Sequence, residues 1–423
     1  MPRGKEHTCI DLFAGAGGLS LGLEMAGFKP LLCCELSSAA RETYMANRKG
    51  KGIVEASDIY SLKNSELKKY MKKWGGEVDL VCGGPPCQGY SGIGIRRTFS
   101  ELQKEDVPGN RLYQQMIRVI KCVKPKAFLF ENVRGLLTSR WTSDGEKGGI
   151  FRDVLNELNA IKGYEVEWQL IRAKNYGVPQ NRPRVFVVGI RKDVLEASRI
   201  NYDKKSKKVD KHALPPFEGR AVEVGFFPPP SKKKPPSIKD LLSDLVDPRY
   251  GRSREHLKET IKYPRDATSE IQKWFRKKSG MDKKGFPLTD QEYSKHRPEI
   301  IEKFQYMIDN NSEIPKAMQT KKFAQRVLPE TWKDGPTITA TSLPDDYVHY
   351  RQPRIPTVRE WARIQTFPDW YEFRGKRTTG GRRRAGDPGK GEWEREVPKY
   401  TQIGNSVPVL LAKSIGEHLR SFV

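Results

Sequence analysis

Over residues 8–190 the chain alternates short apolar runs with stretches of helical period, and this alternation constrains the fold more than any other feature. Thr8–Phe13 reads as a strand, followed by a glycine-rich turn and a helix over Leu19–Ala26 that stops at Gly27. Pro30–Glu35 reads as a second strand, a helix starts near Ser37, Asp58 closes a third short segment, and Val78–Cys82 is a fourth strand. Around Tyr113–Cys122, the apolar residues Met116, Ile117, Ile120 and Val123 recur at helical spacing. Ala127–Glu131 and Val185–Ile190 are further strands. Strands separated by helices pair side by side in parallel, so the expected fold is α/β, with a doubly wound, mostly parallel, Rossmann-like sheet.

After Ile190 the texture changes. Lysine-rich and proline-rich runs appear at Lys204–Lys208 and Phe227–Pro236, and the alternation is lost. Residues 1–190 therefore read as a large cofactor-binding domain and 191–351 as a smaller, irregular, loop-rich one. Residues 352–399 read as a hinge segment with a basic loop (GGRRR within Arg374–Lys399), and 400–423 as a return to the large domain through an apolar helix over Val407–Leu419.

The fourth strand runs straight into GGPPCQGYS at Gly83–Ser91. Prolines cannot continue a central strand, so the run is a stiff turn that presents Cys87 outside the sheet. A thiol placed this way is a candidate nucleophile, whereas Cys82, inside the apolar strand, reads as a small buried hydrophobe.

The remaining bulk properties narrow the class. Apolar residues make up 36% of the 423 and charged residues 30%, and no run approaches the roughly 20 apolar residues a membrane span needs. Asp11 interrupts the only apolar stretch near the N-terminus, which speaks against a secretory signal. The six cysteines match neither a zinc site nor a disulfide framework, so reduced thiols in the cytoplasm, or in a nucleus if the source is eukaryotic, are expected, with no metal. The net charge of +25 favours a polyanionic partner.

The turn after the first strand, DLFAGAGG at Asp11–Gly18, has the glycines that let a backbone approach a nucleotide closely. The dinucleotide pattern is incomplete: counted from Gly15 and Gly17, its last glycine is Ser20. Glu35 ends the second strand, where a carboxylate can accept from both ribose hydroxyls. Asp58 ends the third segment, within reach of an adenine amino group. Together these residues point to an adenosyl cofactor.

These blocks, taken in order, resemble a DNA (cytosine-5)-methyltransferase over nearly the whole chain. To the glycine turn and GGPPCQGYS the chain adds FENV (Phe130–Val133), QNRPRVFVVG (Gln180–Gly189), TVREWARIQTFPD (Thr357–Asp369) and QIGNSVP (Gln402–Pro408). Tyr90 stands where the family often has phenylalanine, and an aromatic ring is kept. The resemblance implies an S-adenosylmethionine-dependent methyltransferase fold with a smaller target-recognition domain and a cleft for double-stranded DNA between them. It implies methyl transfer from S-adenosyl-L-methionine to carbon 5 of a cytosine flipped out of the duplex, through a covalent adduct of Cys87 at carbon 6. Glu131 would hold a proton at ring nitrogen 3, with Asn132 positioning it or the loop. Arg184 would contact the cytosine carbonyl oxygen, and Arg182 would support a phosphate or the catalytic loop. Phe13, Gly15, Gly17, Glu35, Asp58 and Ile59 would surround the nucleoside, with Pro85, Leu112, Asn405 and Val407 closing the pocket. Gln88 and Ser91 belong to a loop that would close over the flipped base. Arg96 and Arg97 would reach phosphates or the orphan guanine. Thr337, and less directly Thr339, in GPTITATS (Gly335–Ser342), would contact the backbone of the DNA.

Two alternatives stay open on the sequence. A tRNA cytosine-5 methyltransferase shares the Cys and Glu blocks, although the long basic region argues for duplex DNA. A DNA-binding protein without catalysis is opposed by the intact Cys87, Glu131 and Arg184 set. The expected setting is a monomeric restriction–modification or orphan methylase, acting separately from any cognate endonuclease.

Overall fold

The structure is a computed structural model that describes residues 6–86, 111–142, 144–198, 225–252, 255–277, 283–319, 325–331, 336–338, 344–378 and 396–423. Its first part contains β1 (His7–Leu12), α1 (Gly18–Met25), β2 (Phe28–Cys34), α2 (Ser38–Ala46), β3 (Val54–Ala56), α3 (Asn64–Lys73), β4 (Leu80–Gly83), α4 (Leu112–Val123), β5 (Ala127–Val133), α5 (Gly149–Asn159), β6 (Tyr164–Arg172) and β7 (Pro183–Arg191). The strands form one seven-stranded sheet in the order β3-β2-β1-β4-β5-β7-β6. β3, β2, β1, β4 and β5 are parallel neighbours. β7 runs antiparallel to both β5 and β6. The link from β6 to β7 is the short stretch 173–182, whose only helical part is the turn Ala173–Tyr176, and it is too short for the crossover that parallel pairing requires.

Both faces of the sheet are covered, and strand alternation decides which residue goes where. Ile10, Leu12, Val81, Phe128 and Phe130 face Leu67, Met116, Ile120 and Val154 from α3, α4 and α5. Cys9, Leu80, Cys82, Leu129, Phe186 and Val188 face the opposite layer, which α1 builds together with the C-terminal helix α12 (Val409–Leu419) through Leu19, Leu23, Leu411, Ile415 and Leu419. Full burial of each such side chain stabilises by about 1.5–3 kcal/mol.

Beyond β7 the described elements are short. They are α6 (Lys192–Ala197), α7 (Ile238–Leu242), α8 (Glu270–Arg276), α9 (Pro298–Asp309), the two-residue strands β8 (Arg326–Val327) and β9 (Tyr347–Val348), α10 (Val358–Ile364) and α11 (Lys399–Asn405). α10 is their anchor. Thr357 and Glu360 cap it reciprocally, and every one of its residues is buried. Its charged residues are paired inside: Glu360 receives Arg354 through both guanidinium ends at 2.6 and 2.8 Å, and Arg363 bridges Asp244 and Asp369, each at 2.6 Å. Trp361, Ala362 and Ile364 join Ile238, Leu241 and Phe275 in a core that also takes Ala16 and Leu21 from the start of the chain. The irregular region is thus packed onto the same helix that follows the glycine turn.

Candidate active site

One edge of the sheet collects the expected side chains. β1 to β5 end there, and antiparallel β7 begins there, with Val133 paired to Arg184. Glu131 lies near the end of β5, and its Oε1 is 2.8 Å from Arg184 Nε. Burial pushes the Glu131 carboxyl up, while the Arg184 and Arg182 guanidinium groups pull it back. A Cβ built on Gly84 would lie 2.8 Å from Glu131 Oε2, so this carboxyl reaches the turn after β4 only because position 84 has no side chain. Asn132 ties the same turn to β5: its Nδ2 donates to the Pro85 carbonyl at 3.1 Å, and its Oδ1 accepts from Val133 N at 2.9 Å. The turn therefore leads from beside Glu131 into Cys87. Cys87 itself lies outside the described residues, as do Gln88, Tyr90, Ser91, Arg96, Arg97 and Thr339. Cys82 is fully buried in β4, and burial holds its thiol well above the ordinary range.

For Arg182, expected to support a phosphate or the catalytic loop, the described contacts are with the protein. Its side chain is fully buried. Its Nη2 donates to the Gly404 carbonyl at 2.6 Å and its Nη1 to the Ile338 carbonyl. A guanidinium enclosed in this way fastens the 336–338 segment and α11 to the sheet. Burial and the adjacent Arg184 charge press its pKa well down, against the pull of Glu131. Thr337 has a similar position: its hydroxyl donates to the Asn181 carbonyl at 2.5 Å. That bond would have to break before Thr337 could donate to a phosphate.

On the other side of β4 lies the glycine turn. Gly15 and Gly17 have φ of 55° and 82°, and Phe13, at 55°, is one of the few non-glycine residues in that region. A left-handed phenylalanine costs about 1–2 kcal/mol, the kind of local strain that functional loops carry. Glu35 is fixed at the end of β2 by two amides: Gly15 N donates to Oε2 and Ser37 N to Oε1, both at 2.8 Å. Each carboxylate oxygen keeps a free lone pair, which suits a ribose diol. Burial pushes the Glu35 carboxyl up, and those two amides counter it. Asp58 accepts Tyr60 N at 3.0 Å through Oδ1. Ile59 is buried beside it, and Leu112 opens α4. Asn405 ends α11, exposed, and the Val407 carbonyl lies 2.6 Å from where a Cβ on Gly18 would be. The C-terminal segment thus crosses directly over the start of α1. A nucleoside methyl donor fits this donor and acceptor set: backbone amides and glycines at the turn, a doubly braced carboxylate at β2, and an acid at β3.

Several contributors were not legible from the sequence. Ser20, which breaks the dinucleotide pattern, is buried and bonds Asp11 Oδ2 at 2.5 Å and Tyr44 OH at 2.8 Å. Burial pushes Asp11 up to about 7, with the Ser20 bond opposing. Gln180 and Gln365 join their side-chain amides; Gln180 also donates to the Ile364 carbonyl, and Gln365 to the carbonyls of Ile403 and Ser406. Their only sequence signal is membership of the QNRPRVFVVG and TVREWARIQTFPD blocks.

A mostly parallel sheet with β7 reversed and a glycine turn after β1 defines a Rossmann-like fold of the S-adenosylmethionine-dependent methyltransferases. Within that class the match is specific: the model of the C-5 cytosine-specific DNA methylase family covers residues 7–421, and the chain belongs to that family. It is similar to the type II methyltransferase M.DdeI of Desulfomicrobium norvegicum, with 30% identity over 421 residues covering 97% of this chain and 88% of that protein. It is also similar to the type II methyltransferase M.PspPI of a Psychrobacter species, with 31% identity over 423 residues covering 98% and 79%. Among solved structures, a DNA modification methyltransferase encoded within an Escherichia coli prophage shares the fold, with TM-score 0.65 and 22% identity over 98% of both chains. The enzyme is accordingly an S-adenosylmethionine-dependent DNA methyltransferase acting at carbon 5 of cytosine.

Proposed function

We propose that the edge formed by β4, β5 and β7 is the cytosine site, with Cys87 as nucleophile and Glu131 as proton holder. The observation that carries this is the buried Glu131–Arg184 pair set against Gly84, on the turn that leads into Cys87. The Cys87 thiolate adds to carbon 6 of a flipped cytosine, forming a carbon–sulfur bond. Glu131 holds a proton at ring nitrogen 3, so the electron pair displaced by addition is accommodated and carbon 5 becomes nucleophilic. Its burial favours the protonated carboxyl, and Arg184 keeps it oriented while facing the cytosine carbonyl oxygen. S-adenosylmethionine supplies an electrophilic methyl group on a sulfonium. Carbon 5 takes that methyl group as the methyl–sulfur bond breaks, with S-adenosylhomocysteine as the leaving thioether. Transfer of the carbon 5 proton to water then returns the electrons to the ring and breaks the bond to Cys87, freeing its thiolate.

The nucleoside end of the cofactor lies along Phe13, Gly15, Gly17, Glu35, Asp58 and Ile59. Pro85, Leu112, Asn405 and Val407 close the site. Gln88, Ser91, Arg96 and Arg97 serve the loop that follows Cys87. The type II relatives support a restriction–modification setting in a bacterial cytoplasm; a monomer acting separately from any endonuclease is part of this proposal. The test is expression in a host lacking cytosine methylation, followed by conversion sequencing of its genomic DNA. Protected cytosines confined to one short motif are expected for the wild type and none for Cys87→Ser. Protection that persists in Cys87→Ser would remove the nucleophile assignment.

A further inference from the structure

The outer side of the glycine turn carries a second set of contacts, made by residues outside the set assigned to the nucleoside and reaching the turn from behind. Tyr371 OH donates to the Ala16 carbonyl at 2.6 Å. Arg48 Nη2 donates to the Gly17 carbonyl at 3.3 Å, and Nη1 donates to Tyr371 OH at 3.1 Å and to the Tyr44 carbonyl at 2.9 Å. Glu24 holds the third nitrogen, Nε, at 2.6 Å, and the guanidinium lies 3.8 Å from the centre of the Tyr44 ring. Both Arg48 and Tyr371 are buried. The packing is tight enough that a Cβ on Gly17 would come within 2.9 Å of Tyr371 OH, Tyr44 and Arg48 Nη1 alike.

These contacts set the direction of the turn. A trans peptide is planar, so a carbonyl held outward turns the next residue's N–H inward. Fixing the Ala16 carbonyl orients the Gly17 N–H, which closes the turn onto the Ala14 carbonyl at 2.9 Å. Fixing the Gly17 carbonyl orients the Gly18 N–H, the first amide of α1 and one with no acceptor inside the helix.

Tyr371 belongs to the segment after α10, and that segment also grips α2. Asn47 and Glu372 exchange two hydrogen bonds, Nδ2 to the Glu372 carbonyl at 2.8 Å and Glu372 N to Oδ1 at 2.9 Å. Arg374 N donates to Thr43 Oγ1 at 2.8 Å. α2 is capped by Ser37, whose amide holds Glu35. One segment therefore braces both halves of the nucleoside site, the turn from behind and the helix next to Glu35.

We propose that Tyr371, acting with Arg48, is a positioning residue for S-adenosylmethionine, through which the segment joining the recognition region to the catalytic sheet sets cofactor affinity. The inference rests on the reading of Gly15–Gly17 and Glu35 as the cofactor site. The experiment compares the full-length wild type with Tyr371→Phe, which keeps the buried ring, and with Arg48→Lys. A control, Tyr400→Phe, removes another buried tyrosine hydroxyl, one that donates to the Pro356 carbonyl at 2.8 Å away from the turn. S-adenosylhomocysteine binding is measured by calorimetry. KM for S-adenosylmethionine and kcat are measured on chromosomal DNA from a host lacking cytosine methylation, and thermal unfolding is recorded in parallel.

For Tyr371→Phe, Kd and KM should rise about tenfold, the scale of one buried hydrogen bond lost, with kcat at saturation within about twofold of wild type. Arg48→Lys should shift Kd in the same direction. Tyr400→Phe should lower thermal stability and leave Kd unchanged. Unchanged Kd in Tyr371→Phe, or an equal rise in Tyr400→Phe, would reduce the pair to ordinary core packing and overturn the proposal. Failure of the wild type itself to bind S-adenosylhomocysteine would instead overturn the underlying reading of the cofactor site.

Discussion

At the scale of single residues the site depends on carboxyl groups held in places that disfavour their charge. Asp11 is the clearest case. It is fully buried at the end of β1, and burial raises it from the ordinary 3.8 to about 7. A folded-state value above the unfolded one means that the native protein binds the extra proton between those two pH values. This contribution to stability is fully present below about 3.8 and is lost as pH rises through about 7. Asp11→Asn removes the titration while keeping an oxygen to accept from Ser20. The stability of the variant relative to wild type, from urea unfolding, should therefore rise from pH 5 to pH 8 by an amount on the order of a few kcal/mol. A flat difference across that range would mean that Asp11 stays ionised in the native state. Glu35 was legible in the sequence because a strand end twenty residues past a glycine turn is a local pattern. The roles of Arg48 and Tyr371 were not, because the contact between them joins residues 323 positions apart.

Elements add a different constraint, since the position of the C-terminal return depends on how closely α1 and α12 approach. A Cβ on Gly22 would lie 2.4 Å from Ala412 Cβ and 2.5 Å from the Val409 carbonyl, and one on Gly416 would lie 2.8 Å from Ala26 Cβ. In an exposed helix, replacing glycine by alanine stabilises by about 1 kcal/mol. Here contact with backbone reverses the sign, and Gly22→Ala should destabilise by about 1–3 kcal/mol, as overpacking does. Thermal unfolding checks this, and an unchanged or raised Tm would show that the two helices can separate at no cost. The strands of the parallel core were legible because each is an apolar run closed by turn residues. β6 was not expected: its sequence YEVEWQLIR carries glutamates on a half-exposed edge strand, which hides the pattern. α3 escaped for a related reason, since Leu67 is its only buried residue. The reversal of β7 is invisible to periodicity, which is the same in both directions; it follows from the short β6–β7 link.

For the whole molecule the governing quantity is charge. The 77 basic residues exceed the 52 acidic ones by 25, yet many arginines are unavailable to DNA. Arg48, Arg182, Arg276, Arg354, Arg359 and Arg363 are buried. Five of these are paired with carboxylates, while Arg182 is held by carbonyls. Burial of a charge is tolerated only with such partners, so these residues hold elements together and contribute little to counterion exchange. Net charge alone does not separate one arginine from another; the fold sets apart those that bind the protein to itself. The surface excess is still large, because the buried arginines are largely balanced by buried acids. Association with duplex DNA should therefore weaken steeply with salt. If about 6–10 phosphates are neutralised, affinity should fall by about 10³–10⁵ between roughly 50 and 200 mM, in a straight line of log affinity against log salt. Fluorescence anisotropy on a duplex lacking the target motif would isolate this term from base recognition. A slope near zero would mean that the exposed lysines and arginines lie away from the cleft, and that binding depends on contacts salt does not screen.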